Sequence, residues 1–314
     1  MAVGLSASAD RRAQRAAVGS LRNRLVQPAT LRAYTLAVVW FFELVRVQQL
    51  DLGAEVWDFD DVLGDTIEFA WETGEPRNLI GNLLSGLEHF VNALRGKLRG
   101  AWRLWRVWGD HEVPARAPPL SIRATLGIAF YMWSWGYPGA AVVTCLAFDR
   151  FLRTMEFLRL SPSQLTLSRD QLTMHVQLPW SKGAKRRKSV EGVVVFDRLL
   201  IQLVQELVEP LMPGDDLVGM APRQYRLLFD KAVESLGLRN DFKPYSLRRG
   251  GASHHFRRWG NMSVTMEVGR WNDMRTAKVY VNSALLELTA IRRLDTLEVE
   301  MAANAFLAIV ARRA

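Results

Sequence analysis

The sequence predicts a mainly α protein with a small β-sheet, divided into two domains, and three observations carry that prediction. Apolar residues recur at helical spacing through most of the first hundred positions. A stretch with three prolines and little periodicity, HEVPARAPPL at 111–120, then interrupts the pattern. Further on, QLTMHVQLPW and SVEGVVVF flank the basic turn SKGAKRRK, and their alternating and β-branched residues read as a hairpin. A chain of 314 residues has room for two units that each bury a core. The expected divisions are a basic, disordered arm at 1–20, a helical domain at 21–112 and a linker at 113–119. A mixed α+β domain at 120–296 and a C-terminal helix at 297–314 complete the chain.

In the first domain, Thr30 after Pro28 is expected to cap a helix whose apolar positions are Leu31, Tyr34, Val38, Phe41 and Val45. A second helix is expected over 60–71, with Val62, Ile67 and Phe69 inside, ending at Thr73-Gly74. A third carries Ile80, Leu83, Leu84, Leu87, Val91 and Leu94 on one face. Next comes LRGKLRGAWRLWRVWGD, where Arg95, Lys97, Arg99, Arg103 and Arg106 interleave with Trp102, Trp105 and Trp108. Two readings stay open: a surface for a phosphate backbone, or an amphipathic helix whose tryptophans are core. In the second domain, residues 124–148 carry no charge and are long enough to span a bilayer. Gly136-Tyr137-Pro138-Gly139 divides that run, which favours two buried helices joined by a turn. The last helix, starting at about Asn304, is expected to dock on its own chain or on a neighbour. The chain has no internal repeat and no low-complexity tract.

Lys plus Arg number 41 against 32 acidic residues, giving a net charge of +9 and a pI near 10.0. Such an excess favours a polyanionic partner, because each neutralised phosphate releases condensed counterions. A single cysteine, Cys145, excludes an internal disulfide and a cysteine-based zinc site. The N-terminal stretch lacks a long apolar core, so a secretory signal is not expected. Its Arg, Ser and Ala content fits an organellar transit peptide or a basic arm touching DNA. The compartment stays open between a nucleus, a bacterial nucleoid or cytoplasm, and an organelle.

Phosphoryl transfer without a metal needs a nucleophile, fixed cations on the non-bridging oxygens and an acid for the leaving alkoxide. Arginine suits the second task through its planar, permanently charged fork. Lysine or histidine suits the third. The C-terminal half offers such a set: Arg153 in LRTMEFLRL, Lys182 in SKGAKRR, Tyr245-Ser246-Leu247-Arg248, Gly269-Arg270-Trp271, and Tyr280 in KVYVN. The histidines offer less. His254 and His255 are adjacent and point about 100° apart on a helix. His89, His111 and His175 are scattered, without metal-ligand spacing. No P-loop and no Gly-x-Gly-x-x-Gly element is present, so neither a metal nor a nucleotide cofactor is expected.

In order and spacing, this half resembles the catalytic domain of the tyrosine recombinases, the phage integrase and Xer-like family. The family pattern is Arg, Lys, His-x-x-Arg, His or Trp, then Tyr. Arg153-Thr154-Met155-Glu156 matches the first arginine box, and Lys182 sits in a hairpin turn where the family shows Gly-Lys-Gly. Tyr245-Ser246-Leu247-Arg248 takes the His-x-x-Arg place. Gly269-Arg270-Trp271 matches the next element, with Tyr280 nine residues after Trp271 and 32 after Arg248. The resemblance covers residues 120–295 by motif. Over 20–112 it implies a helical, SAM-like core-binding domain that begins with Thr30 and Tyr34.

The resemblance implies that Tyr280 attacks a scissile phosphate to give a 3′-phosphotyrosyl link and a 5′ hydroxyl. Arg153 and Arg248 would clamp the non-bridging oxygens. Lys182 would protonate the 5′ oxygen from the hairpin, with Lys185 or Lys188 as substitutes. Tyr245 and Trp271 would complete the cradle, and Glu156 would orient a neighbouring cation. Arg95, Lys97, Arg99, Arg103, Arg106, Lys185, Arg186 and Arg187 would contact double-stranded DNA, with four copies of the chain acting on two duplexes. No membrane partner is implied. Two departures bear on this. Tyr245 replaces histidine and is a poor general base at neutral pH. The run LRRGGAS leaves the helix start open and makes Arg249 a rival to Arg248. Three alternatives remain: a domesticated DNA-binding protein of the same fold that no longer cuts, a type IB topoisomerase, and a non-DNA function such as a membrane-surface protein that uses the Trp/Arg stretch.

Overall fold

The computed structural model describes residues 25–112, 116–179, 191–280 and 296–313, with isolated positions between 8 and 21. Two compact units emerge, Met1–Ala115 and Arg116–Ala314. In the N-terminal arm, expected to be disordered, residues 10–13 and 15–17 are helical, as their Ala and Arg content favours.

Among the described residues, the core of the first unit is a bundle of four helices. Helix α1 (Pro28–Gln48) starts two residues before the expected Thr30 cap. Proline at the first helical position lacks an N–H to satisfy, and its fixed φ already fits the helix, so no side-chain cap is required. Helix α2 (Val56–Glu72) also starts earlier than expected, because the Asp58 carboxylate accepts from the Glu55 amide at 3.1 Å. Helix α3 (Arg77–Phe90) buries Ile80, Leu83, Leu84 and Leu87 on one face. It stops before Val91, and a separate 3-10 turn (Asn92–Leu94) carries Leu94 into the core.

Helix α4 (Arg99–His111) receives its N-terminal cap from 40 residues upstream. The Asp60 carboxylate of α2 accepts from the amides of Gly100 (2.7 Å) and Ala101 (3.0 Å). This satisfies two orphan donors and sets a negative charge at the positive end of the helix. Arg77 lies over the Trp105 ring at 3.8 Å, and the Trp105 indole donates to the Arg77 carbonyl at 3.1 Å.

The second unit is built around α5 (Ile122–Ser134) and α6 (Pro138–Asp149). The uncharged run at 124–148 therefore forms two helices of 13 and 12 residues, each shorter than the roughly 20 that span a bilayer. Among the described residues, one helix, α1, is long and apolar enough by length and composition to cross a membrane. Cys145 packs against the core of the second unit, and burial pushes its thiol up to about 12.

After the short α7 (Thr154–Phe157) come three antiparallel strands in the order β1 (Leu165–Leu167), β2 (Met174–Leu178), β3 (Glu191–Val195). Met174, Val176 and Leu178 point inward, and Val176 pairs with Val193. The sequence reading recovered β2 and β3 but not β1, which is short and mostly exposed. The turn that holds Lys182, Lys185, Arg186, Arg187 and Lys188 lies outside the described residues.

Helices α8 (Arg198–Val208), α9 (Pro222–Ser235), α10 (Pro244–Trp259) and α11 (Met262–Gly269) follow, then a helical segment at 274–280. Helix α12 (Leu297–Ala311) starts at the expected 297 boundary and not at about Asn304, and it docks on its own chain. Phe306 meets Trp133 of α5, and Arg123 reaches Asn304 and Glu300.

Candidate active site

The site is assembled around the start of α10. Its tandem glycines lie within the helix and do not mark its start, which is at Pro244. A Cβ at Gly250 would collide with the Leu120 carbonyl, and one at Gly251 with the Phe148 carbonyl. Only glycine permits this approach of the backbones. The close packing carries Arg248 to 1% exposure. There its guanidinium donates to the carbonyl of Phe151 and, at 2.8 Å, to that of Gly269. Phe151 adopts a left-handed φ of 47° in the turn after α6. Burial, and then the charges of Arg153 and Arg270, bring the Arg248 guanidinium down to about 10, so it is cationic at neutral pH.

Arg153 and Glu156 lie at the start of α7. The Arg153 amide donates to Glu156 Oε2 at 2.8 Å and its Nη1 to Oε1 at 2.6 Å. Arg270, at the end of α11, donates Nη2 to the same Oε2 at 2.5 Å. The Glu156 side chain is 3% exposed and that of Arg153 is 30% exposed, so the carboxylate is enclosed while one cation reaches solvent.

Tyr280 ends the segment 274–280. Its ring stacks on Trp271 with centroids 4.5 Å apart and planes 25° apart, and Trp271 stacks in turn on Phe151. The Arg248 guanidinium lies over both rings, 4.9 Å from Trp271 and 5.8 Å from Tyr280. The phenols of Tyr245 and Tyr280 are hydrogen-bonded to each other. Burial, then the bond to Tyr280, pushes the Tyr245 phenol up to about 12. Ser253 holds the Tyr280 carbonyl at 3.3 Å.

Six of the seven expected residues therefore converge: Arg153, Glu156, Arg248, Tyr245, Trp271 and Tyr280. Lys182 falls outside the described residues. Arg249, the rival to Arg248, donates instead to the Ala117 carbonyl. His254 and His255 diverge, one against the Phe148 ring, the other bonded through Nδ1 to Thr265 at 2.9 Å. Sequence reasoning missed Arg270, Phe151 and Ser253. Arg270 adjoins a motif residue, but nothing in its spacing shows that it is buried and paired with Glu156.

The Arg/Trp stretch separates into two faces. Trp108 is buried, and Trp102 and Trp105 pack against the core of the first unit. Arg99, Arg103 and Arg106, at i, i+4 and i+7 of α4, are exposed, as are Arg95 and Lys97 just before it. The stretch is thus an amphipathic helix whose tryptophans are core and whose cations form an exposed basic face.

No family profile matches the sequence, and no curated protein matches it. Solved structures do share the fold. A Tn1549 transposon integrase in complex with transposon right-end DNA aligns with a TM-score of 0.57 at 14% identity, covering 87% of this chain and 96% of that one. A lambda integrase dimer bound to a COC′ core site aligns at 0.55 and 13% identity, covering 83% and 73%. The XerH site-specific recombinase, in a post-cleavage complex with a palindromic difH substrate, aligns at 0.52 and 13%, covering 82% and 78%. The largely helical architecture with its three-stranded antiparallel sheet is the tyrosine recombinase fold.

Proposed function

We propose that this chain, which has the tyrosine recombinase fold, is a site-specific DNA recombinase that cleaves and rejoins DNA through a 3′-phosphotyrosyl intermediate. The observation that supports it most is the convergence of the Tyr280 phenol with the Arg248 and Arg153 guanidiniums, residues far apart in the chain.

A phosphodiester carries one negative charge and gains more in the pentacoordinate state, so fixed cations favour that state over the bound substrate. Tyr280 attacks phosphorus, and its phenolic proton passes to solvent water. The 5′ oxygen leaves with the electrons of the broken P–O bond and takes a proton from Lys182. Arg153, the more exposed guanidinium, reaches the non-bridging oxygens directly. Arg248 contributes its charge from beneath the two stacked rings. Tyr245 donates its hydroxyl proton toward the Tyr280 oxygen, a role that a phenol fills where it could not serve as a general base. The bond energy stays in the tyrosyl link, so no nucleotide is consumed. A 5′ hydroxyl from a second duplex then reverses the step, with four copies of the chain holding two duplexes. The exposed cations of α4 contact the phosphate backbone.

Tyr280→Phe tests this on a nicked suicide duplex. Covalent adduct should disappear on a denaturing gel while duplex binding persists, and adduct in that variant overturns the assignment. The presence of Tyr245 where the family has histidine favours a second reading, a DNA-binding protein of this fold that no longer cuts. Binding without adduct in the unaltered protein would select it.

A further inference from the structure

Arg270 belongs to the cluster, yet no motif assigns it a role. It follows α11 in a left-handed backbone conformation (φ 54°) that disfavours any residue with a Cβ. Its side chain is 8% exposed. Besides the bond to Glu156, its Nε lies 3.7 Å from a carboxylate oxygen of Glu191, the first residue of β3. Arg270 Nε and Nη1 and Glu191 Oε2 have no hydrogen-bond partner among the described residues. Burial draws the Arg270 guanidinium down, and Glu156 opposes that shift. A cation kept against both its backbone preference and its hydration points to a task that needs its charge.

The charges of the cluster indicate the task. Arg153, Arg248 and Arg270 face Glu156 and Glu191, three positive groups against two negative ones. Without Arg270 the two signs cancel. Arg153 would then be spent on Glu156 alone. With Arg270 on Oε2, the carboxylate is shared, and Arg153 keeps attraction for an incoming anion.

We propose that Arg270 is a positioning residue that holds Glu156 through its second oxygen, so that Arg153 keeps its geometry and its charge for the scissile phosphate. The inference rests on the recombinase reading above and adds to it a residue that acts through another.

The test compares the full-length protein with Arg270→Gln, Arg270→Lys, Glu156→Gln and the Arg270→Gln/Glu156→Gln pair. Each is measured for adduct formation on a nicked suicide duplex, duplex binding and thermal unfolding. Arg270→Gln should slow adduct formation ~100-fold or more, with binding changed by no more than about 3-fold. Arg270→Lys should recover at least about 10-fold of that loss, since it restores the charge. The double variant should cleave no more slowly than Arg270→Gln and melt at a higher temperature, because it removes the uncompensated carboxylate. Wild-type cleavage by Arg270→Gln, or losses that multiply in the double variant, would overturn the inference alone. If Arg270→Gln fails to fold, the double variant carries the test: a regained cooperative melting transition supports the pairing, and a double variant that also fails to fold rejects it. Absence of adduct from the unaltered protein, as from Tyr280→Phe, would remove the recombinase reading and this inference with it.

Discussion

Arg99, Arg103 and Arg106 stand in solvent along one face of α4, whereas Arg153, Arg248 and Arg270 gather around one enclosed carboxylate and two stacked rings. The residue type is the same and the physics is not. Exposed guanidiniums act at long range, are screened within about 10 Å at ordinary ionic strength, and adjust to any phosphate that arrives. In the second group Arg248 and Arg270 have already lost their hydration, Arg153 keeps part of its own, and all three are fixed by carbonyls or a carboxylate, so their field is oriented before a substrate binds. The first group suits affinity and the second suits rate. That division can be broken experimentally.

The largest effect is expected at the enclosed end. Arg248→Ala should lower adduct formation by roughly 10³-fold or more, with the salt dependence of duplex binding unchanged. A change in salt slope with little change in cleavage would place Arg248 on the wrong side of the comparison.

At the exposed end, replacing Arg99, Arg103 and Arg106 together by glutamine should flatten the slope of log affinity against log salt by about 3. Cleavage at saturating duplex should be nearly unchanged. A slope that stays put would show that α4 does not face DNA.

Smaller still is the effect of Tyr245→Phe, for which cleavage about 10-fold slower is expected, from loss of a single hydrogen bond to Tyr280. The same variant has a stability signature. The folded-state pKa of Tyr245 is raised from 10.0 to about 12, so its neutral phenol adds stability below pH 10.0 that is lost as pH rises toward about 12. Tyr225, buried and raised in the same direction, adds its own loss in alkaline solution. Alkaline unfolding followed by circular dichroism should therefore be shallower, but not absent, in Tyr245→Phe. An unchanged profile would dissociate Tyr245 from the site.

Periodicity revealed the inner faces of α1 and α3 and one buried position of α2, Ile67, because burial alone fixes which positions must be apolar. It did not reveal where those helices start and stop. Pro28 moved one start, Asp58 another, and the break after Phe90 divided a face that reads as continuous in sequence. Caps that arrive from a distance leave no local mark, as with Asp60 on α4. In the site, residues that fit a spaced pattern were legible, and Tyr245, Arg248, Trp271 and Tyr280 do lie together. Arg270 was not, since pairing across 114 positions is invisible to spacing. The glycines at 250 and 251 leave the start of the helix open in the sequence. They are what allows two backbones to touch beside it.

The hydroxyl at position 245 carries one more consequence. An imidazole there would gain a proton on acidification across about pH 8 to 5, and its ring would change character beside the Tyr280 phenol. A phenol undergoes no such change over that interval. Strand cleavage by this protein should then be indifferent to mild acidification that would alter the same position in a histidine-bearing relative, and Tyr245→His should make it responsive.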